Sequence, residues 1–464
     1  MRRVLLLSIL TSVLTAAFAE AQDSNYWDSQ YGTKGELLGG MVVGSPTDLS
    51  ATYYNPGWIA IRTDPSFLLT TMAAEAYRIR LKDGLGDGTS PTSSTVATSP
   101  GYLAGRFSVG DDRSWQWAYS YLQKVKFKFD AGGIRVDPGG PPPPNGSAWA
   151  SGESFRQAET NEYWYGLTFA RKIKKNVGLG FTPYVVQRTM KSRTQTSLQA
   201  LSTTQDFGQA YFVNEYDFWQ IRVLMKAGLA VEKGDLTYGV TLTTPGLGLY
   251  GSGSVLTNTN GSGRDLDDDG AVDPANLSSD AQEDLSASRS SPLSLAAGAS
   301  YKAGPTGYYL TVEWFSSVAS RDAMSPDSFY SQSDPTEQNV YNLSYGAKSL
   351  VNFGVGVEHA FHPTFAIYGA FRSDFSSIPS DQADNLQISN WDLWHLSTGA
   401  SFVFLNMEFT AGLQYSYGSG TSERFVNFSL EESQELVGDL GSYEITYDRL
   451  KALIGFNLPL GSTD

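Results

Sequence analysis

From Pro65 onward the chain is a series of alternating runs joined by two unlike kinds of connection, and that alternation constrains the fold more than any other feature. One kind is short: Asp111-Asp112-Arg113, Lys174-Lys175-Asn176, Lys233-Gly234-Asp235, Gly304-Pro305, His362-Pro363 and Leu405-Asn406. The other is long and polar, over 83–99, 131–156, 191–206, 251–285, 320–340, 375–390 and 418–440. Six short turns and seven long loops in strict alternation predict fourteen strands, with both chain ends on the short-turn side. Even strand number with segregated loop lengths is the signature of an outer-membrane barrel, where turns face the periplasm and loops face outward. A soluble β-sandwich has no reason to sort its loops by length.

Within the runs, side chains alternate in character. Val351, Phe353, Val355 and Val357 alternate with Asn352, Gly354, Gly356 and Glu358. Tyr308, Leu310, Val312 and Trp314 do so with Tyr309, Thr311 and Glu313, and Tyr238, Val240 and Leu242 with Gly239, Thr241 and Thr243. Successive side chains of a strand point to opposite faces. One face is therefore apolar with aromatic ends, and the other is polar or glycine. Trp115 to Asp130 and Phe207 to Val231 exceed the roughly 9–11 residues that cross a bilayer, so their surplus is expected beyond the outer leaflet. The last run, Tyr443 to Leu460, changes parity near Asp448 to Leu450, which predicts a bulge.

The N-terminus reads as an export signal: Arg2 and Arg3, an apolar run from Val4 to Leu14, then small-residue sites at Ala17-Phe18-Ala19 and Ala19-Glu20-Ala21. Cleavage is expected after Ala19 or Ala21. No later segment offers about 20 consecutive apolar residues, so no transmembrane helix is predicted; a barrel needs none, because only alternate side chains meet lipid. Cysteine is absent, which excludes thiol chemistry. The formal charge of −15 repels phosphate backbones and argues against nucleic acid as a partner. Tyrosine (26) and glycine (47) are the abundance expected of aromatic girdles around a tightly packed interior.

Between signal and first strand lies Gly39 to Ala60, too rich in Gly, Pro, Ser and Asp for a strand yet apolar enough to require burial. A compact irregular segment ahead of a closed sheet reads as a plug. Its core, Ser45-Pro46-Thr47-Asp48-Leu49-Ser50-Ala51-Thr52-Tyr53-Tyr54-Asn55-Pro56, resembles the N-terminal hatch of the FadL family of outer-membrane transporters for long-chain fatty acids and other hydrophobic molecules. Gly57-Trp58 stands where that family usually continues Ala-Gly. Phe371 to Pro379 is similar to the family's strand-end signature before a late external loop. The resemblance implies a monomeric, hatch-plugged, 14-stranded antiparallel transmembrane β-barrel in the Gram-negative outer membrane. It also implies a ligand pocket above the hatch and a sideways exit at a kink in the third strand, here about Ser114 to Asp130. The chain then divides into a signal (1–21), a hatch (22–64) and a barrel (65–464). No energy-coupling box stands near the mature N-terminus, so passive uptake of long-chain fatty acids or similar compounds is expected. Aliphatic or aromatic hydrocarbons are the alternative substrates.

Candidate functional residues follow. Asn55 carries donors and acceptors that suit tying the plug to the wall or to a ligand head group; Pro56, Tyr54 and Trp58 accompany it as gating candidates, against the reading that Asn-Pro only makes a turn. Lys124, Lys126 and Lys128 share one strand face at period two, a place for a carboxylate, for anionic lipopolysaccharide, or for solvated charge; Arg78 and Arg80 are similar. Asp265, Asp267, Asp269 and Asp273 have the alternation of a calcium loop, but Asn276 stands at its twelfth position, and the run also reads as an acidic loop tip. No cofactor is required by this reading, and a structural calcium in that external loop is the one candidate. The rival class is an outer-membrane lipid hydrolase. His359, His362 and His395 are the histidines available to it, with no nucleophile and acid evident beside them.

Overall fold

The computed structural model describes residues 24–45, 48–61, 66–86, 88–107, 114–136, 147–202, 207–262, 275–379, 390–405, 407–424 and 441–459. The export signal and the acidic run at 265–273 lie outside them. Three short helices precede the sheet: α1 (Thr33–Leu37), α2 (Ala51–Tyr54) and α3 (Gly57–Ile61). Twenty strands follow. They are β1 (Ser66–Lys82), β2 (Thr92–Phe107), β3 (Trp115–Val136), β4 (Ser147–Lys174), β5 (Val177–Ser202), β6 (Phe207–Lys233), β7 (Leu236–Thr243), β8 (Leu247–Ser262), β9 (Asn276–Ser286) and β10 (Ser294–Ala303). Then come β11 (Thr306–Phe315), β12 (Val318–Met324), β13 (Phe329–Tyr330), β14 (Gln338–Asn339), β15 (Leu343–Ala347), β16 (Leu350–His362), β17 (Phe365–Asp374), β18 (Asp392–Phe404), β19 (Met407–Glu423) and β20 (Ser442–Pro459).

Fourteen of these close a ring: β1 to β7, β10, β11, then β16 to β20, with β20 pairing antiparallel to β1. The strand ends bracket all six short connections, between β2–β3, β4–β5, β6–β7, β10–β11, β16–β17 and β18–β19, with Asp111-Asp112-Arg113 and Asn406 themselves outside the described residues. The outward face is the apolar one: Val351, Phe353, Val355 and Val357 are 39–51% exposed. Aromatic rings mark its limits. On the turn side Trp117 meets Phe169 and Phe402 stacks on Phe409; on the loop side Trp394 stacks on Phe371 and Trp219 meets Tyr250. Trp394 and Phe402 both lie on β18. At roughly 3.3 Å per residue and a tilt of about 40°, their separation spans about 20 Å of hydrocarbon.

Two expectations are corrected. The stretches 251–285 and 320–340 hold paired strands, not plain loops. β7 stops before Pro245, which leaves the outer half of β6 with an open edge; β8 fills it by pairing along Gln209–Val223, and β9 pairs onto β8. Nor does β20 bulge near Asp448–Leu450, for its ladder with β19 is unbroken from Asn457 to Ser442. Asp448 faces outward to the Tyr415 hydroxyl (2.8 Å) and Arg449 faces the lumen, so charge rather than a register change disturbs the pattern.

Residues 24–45 and 48–61 fill the lumen. Leu37, Leu38, Met41 and Trp58 are at most 1% exposed and pack with wall residues such as Tyr102, Leu122, Tyr184 and Leu224. Glycines in the wall let the plug's backbone approach. A Cβ on Gly228 would lie 2.2 Å from Asn55 Oδ1, on Gly239 2.0 Å from the Val43 carbonyl, on Gly180 2.4 Å from the Pro56 carbonyl, and on Gly298 2.6 Å from the Gly44 nitrogen. Gly180 is the cross-strand partner of Gly228, and Gly239 of Gly298. The row across β5, β6, β7 and β10 is therefore a seat cut into the barrel for the hatch. Gly228→Ala is expected to unseat the hatch and raise ion leak in planar bilayers. Gly369→Ala, whose Cβ would meet only Val357 at 3.8 Å, should leave the leak unchanged.

Candidate ligand chamber and plug

The hatch motif forms the seal. Asn55 is fully buried; its amide donates to the Val43 carbonyl (3.1 Å) and to the Leu229 carbonyl of β6 (3.0 Å), while Oδ1 accepts from Gly57 N–H (3.1 Å). One side chain thus ties two hatch segments to the wall. Trp58 Nε1 donates to the same Val43 carbonyl (3.2 Å), Pro56 presses on Gly180 and Gly228, and the Tyr54 hydroxyl donates to Gln30 Oε1 (2.8 Å) while accepting from Tyr31 N–H (2.9 Å). These four candidates belong to the seal, and none lines the chamber above it. At the foot of the hatch, burial pushes the Glu36 carboxyl up against the pull of Lys451 (3.7 Å).

Above the hatch the leading segment is strapped to the loop-side end of the wall. Asn25 donates to the carbonyls of Asp374 (2.7 Å) and Trp391 (3.2 Å), and Trp27 N–H to Asp374 Oδ1 (3.0 Å). Arg372 donates to the Trp27 carbonyl (3.1 Å), and Arg449 to Asp28 Oδ2 (2.9 Å). Within this cluster His395 Nδ1 lies 2.7 Å from Ser416 Oγ and its Nε2 lies 3.8 Å from Asp374 Oδ2. The sequence did not disclose this Ser-His-Asp grouping, because the three residues sit on different strands. His395, Ser416 and Asp374 are at most 1% exposed, and the carboxylate's other oxygen is already held by Trp27 and by Asn352 Nδ2 (3.0 Å). The grouping fastens the strap and presents no serine to a substrate. His359 and His362 flank the β16–β17 turn, as expected.

Between hatch and outer strands lies a chamber open to solvent at its mouth, with about 70 Å³ of enclosed space. Tyr53 of α2, Trp164 of β4, Leu224 of β6 and Tyr26, stacked on Phe315 (4.4 Å), give it apolar surface. Its charges are Lys124, Arg222, Lys226 and Arg289 against Glu162 and Glu313, an excess of cations in an acidic chain. Glu162 is held by Arg188 (2.9 Å), Arg222 (2.7 Å) and Trp164 Nε1 (2.7 Å). Arg222 Nε and Nη1 have no hydrogen-bond partner among the described residues. Lys226, 6% exposed, lies over the Tyr53 ring with its ammonium 4.2 Å from the centroid, and makes no ion pair among the described residues. A buried cation with only a ring for company is poised to gain from an anion.

The three β3 lysines do not share a face. A register shift between Gln123 and Val125 bulges the strand at Lys124 and reverses its parity. Lys124 reaches the chamber and donates to the Tyr26 carbonyl (2.5 Å); Lys126 lines a separate polar pocket with Asp28, Glu36, Glu75, Arg449 and Lys451; Lys128 is exposed, as are Arg78 and Arg80. The bulge is one of several lapses at a single height. The β2–β3 ladder ends at Tyr102–Leu122, β1–β2 shifts between Thr70 and Ala74, and β1–β20 between Leu69 and Glu75. Outside the break, side chains replace the ladder: the Tyr77 hydroxyl donates to the Lys128 carbonyl (2.6 Å) and accepts from its N–H (3.0 Å), and Ser93 Oγ accepts from Asp130 N–H (3.0 Å). The polar pocket abuts this interruption through Gly101 and Gln123. Sequence reasoning missed Trp164, Arg222 and Lys226, whose only signal was an inward strand parity shared with many residues, and Tyr53, which lies in the hatch motif but was not singled out. The calcium candidates Asp265, Asp267, Asp269 and Asp273 lie outside the described residues, among which no group of three acidic or histidine side chains could hold a metal.

No family model and no curated protein matches the sequence. Solved structures do match the fold. The chain is similar to a Pseudomonas aeruginosa FadL homologue, with 13% identity over 94% of this chain and 100% of that one and a TM-score of 0.58. The chain has the FadL-type barrel fold. It is also similar to the Ralstonia pickettii toluene transporter TbuX (10% identity, 93% and 99% covered, TM-score 0.56) and to the Pseudomonas putida toluene transporter TodX (12% identity, 96% and 100% covered, TM-score 0.55). In this FadL-type barrel the hatch motif does the sealing. Asn55→Ala removes three hydrogen bonds, a loss on the order of 2–3 kcal/mol to hatch docking. The expected outcome is altered hydrophobic uptake with barrel assembly intact, checked by heat-modifiable migration on gels; unchanged transport would remove Asn55 from the gating residues.

Proposed function

We propose that this protein mediates passive uptake of long-chain fatty acids, or similar hydrophobic compounds with an anionic head, across the Gram-negative outer membrane. The observation that carries this reading is Lys226, buried at the chamber floor over Tyr53 and without an ion-pair partner among the described residues, with Arg222 beside it. A carboxylate at Lys226 would pair the cation and leave the acyl tail against Tyr53, Trp164 and Phe315. Each methylene taken from water adds about 0.8 kcal/mol, so a long chain binds without covalent chemistry. The hatch blocks the direct path to the periplasm. The interrupted wall around β1 to β3 supports departure of the ligand sideways into the bilayer, where the tail stays solvated by lipid. The protein acts as a monomer in this reading, with lipopolysaccharide and outer-membrane lipid around it, and the leading segment 1–21 serves as the export signal. Calcium at Asp265, Asp267, Asp269 and Asp273 would brace an external loop.

The aromatic lining and the toluene transporters of similar fold favour a second reading, uptake of aromatic hydrocarbons. A neutral ligand would leave Lys226 uncompensated. Lys226→Gln separates the two. Binding of a long-chain carboxylate should weaken about tenfold, the scale of one charge-assisted hydrogen bond, while a fatty alcohol of equal length is unchanged. Equal loss for both, or none for either, contradicts the carboxylate reading. Mass spectrometry of ligand carried through extraction gives the same answer without mutation: an acyl chain supports it, and reproducible enrichment of a hydrocarbon favours the second.

A further inference from the structure

The short-turn rim of the barrel is electrically lopsided. Three neighbouring turns, β4–β5, β6–β7 and β10–β11, bring together Arg171, Lys172, Lys174, Lys175, Lys233 and Lys302, all exposed. The carboxylates among them are Glu232 and Asp235, so six cations face two anions. None of the six cations makes an ion pair among the described residues. The β16–β17 and β18–β19 turns on the far side carry no lysine or arginine among their described residues. The whole chain is acidic at −15, so this arc runs against its average.

The height of the arc says what meets it. Phe169, Arg171 and Ile173 alternate on the outward face of β4, with Lys175 in the turn that follows, and Ile173 is 56% exposed. The Arg171 guanidinium lies over the outward Trp115 ring, 5.8 Å from its centroid. Lys302 follows Tyr301, which pairs with Tyr308, and both rings are more than half exposed at the edge of the apolar band. Arg171 thus stands on the lipid-facing side at the level of the aromatic girdle, where head groups lie, while Lys172, Lys174 and Lys302 take the alternate positions at the same rim, from which long lysine stems can carry their ammonium groups to phosphates. An Arg171 guanidinium lying over the outward Trp115 ring is met from the head-group layer rather than from the aqueous phase.

We propose that this arc binds the anionic phosphate head groups of phospholipids in the periplasmic leaflet and gathers an annulus of acidic lipid along the β4 to β11 side of the barrel. Fixed positive charge at a membrane surface attracts acidic lipid with a strength that falls as salt rises. The arc is separate from the chamber and does not depend on which ligand the chamber takes.

The test is native mass spectrometry of the full chain released from nanodiscs of equal phosphatidylethanolamine and phosphatidylglycerol. The wild type is expected to retain the anionic lipid about tenfold over the zwitterionic one. Combined K172Q, K174Q, K175Q, K233Q and K302Q should abolish that preference, and arginine at the same five positions should restore it, which separates charge from misfolding. Removing the loop-side pair with K191Q and R193Q should leave it intact. Equal retention of both lipids by the wild type, or a preference that survives the five glutamines, would overturn the proposal. So would a preference lost equally with the five arginines, since that makes the effect structural.

Discussion

Inside a bilayer no water is available to backbone N–H and C=O groups, so a sheet that crosses it must close on itself. Every other feature here follows from how that closure is met and where it lapses. The β20–β1 ladder completes the ring, and the wall is regular along β17 to β19. A group of lapses lies at one height across β20, β1, β2, β3 and β4, beside a pocket that touches the hatch. Tyr77 and Ser93 supply from side chains the hydrogen bonds the ladder no longer makes. In the proposed route of uptake, this seam held by hydroxyl groups is the place beside the plug where a ligand would leave.

A closed wall creates the need for a plug, and the plug shapes the wall. Glycine would be a poor choice in strands that only had to pair. Here Gly180, Gly228, Gly239 and Gly298 stand where the hatch backbone comes within a side chain's width. Asn55 then joins Val43 and Leu229 through one amide. The strap to Asp374, Arg372 and Arg449 pins the other end of the leading segment near the external strands. Between these two anchorages the segment passes the chamber, contributing Tyr26 and Tyr53 to it. Chamber and plug thus share one short stretch of chain, and in the proposed function a ligand in the chamber would bear directly on the segment that carries the seal.

The ring was legible because it rests on local signals: turn chemistry such as Lys233-Gly234-Asp235, loop length, and side-chain alternation that lipid enforces residue by residue. The hatch was legible from composition and from its resemblance to a known motif. What lay beyond reach depends on contacts between distant residues. The bulge at Lys124 has no glycine or proline to announce it, yet it moves Lys126 and Lys128 off the face of Lys124. Conversely, Asp448 and Arg449 looked like a bulge and proved to be a regular strand with one charge outward and one inward. Lys226 was invisible for the same reason: inward parity alone does not reveal a tyrosine from the hatch lying beneath it. The outer strands β8 and β9 were hidden because, away from lipid, their polar sequence carries no apolar face.

The lumen is stoppered by its own leading segment, and the proposed receiving chamber for an acyl carboxylate lies directly above. Anomalous diffraction from crystals soaked with a long-chain fatty acid brominated on its tail tests this most directly. The account expects the carboxyl density at Lys226, the bromine signal among Tyr53, Trp164 and Phe315, and residues 39–60 still seated on the glycine row. Bromine found only on the outer surface of the barrel, or an empty lumen with the leading segment lying elsewhere, would contradict it.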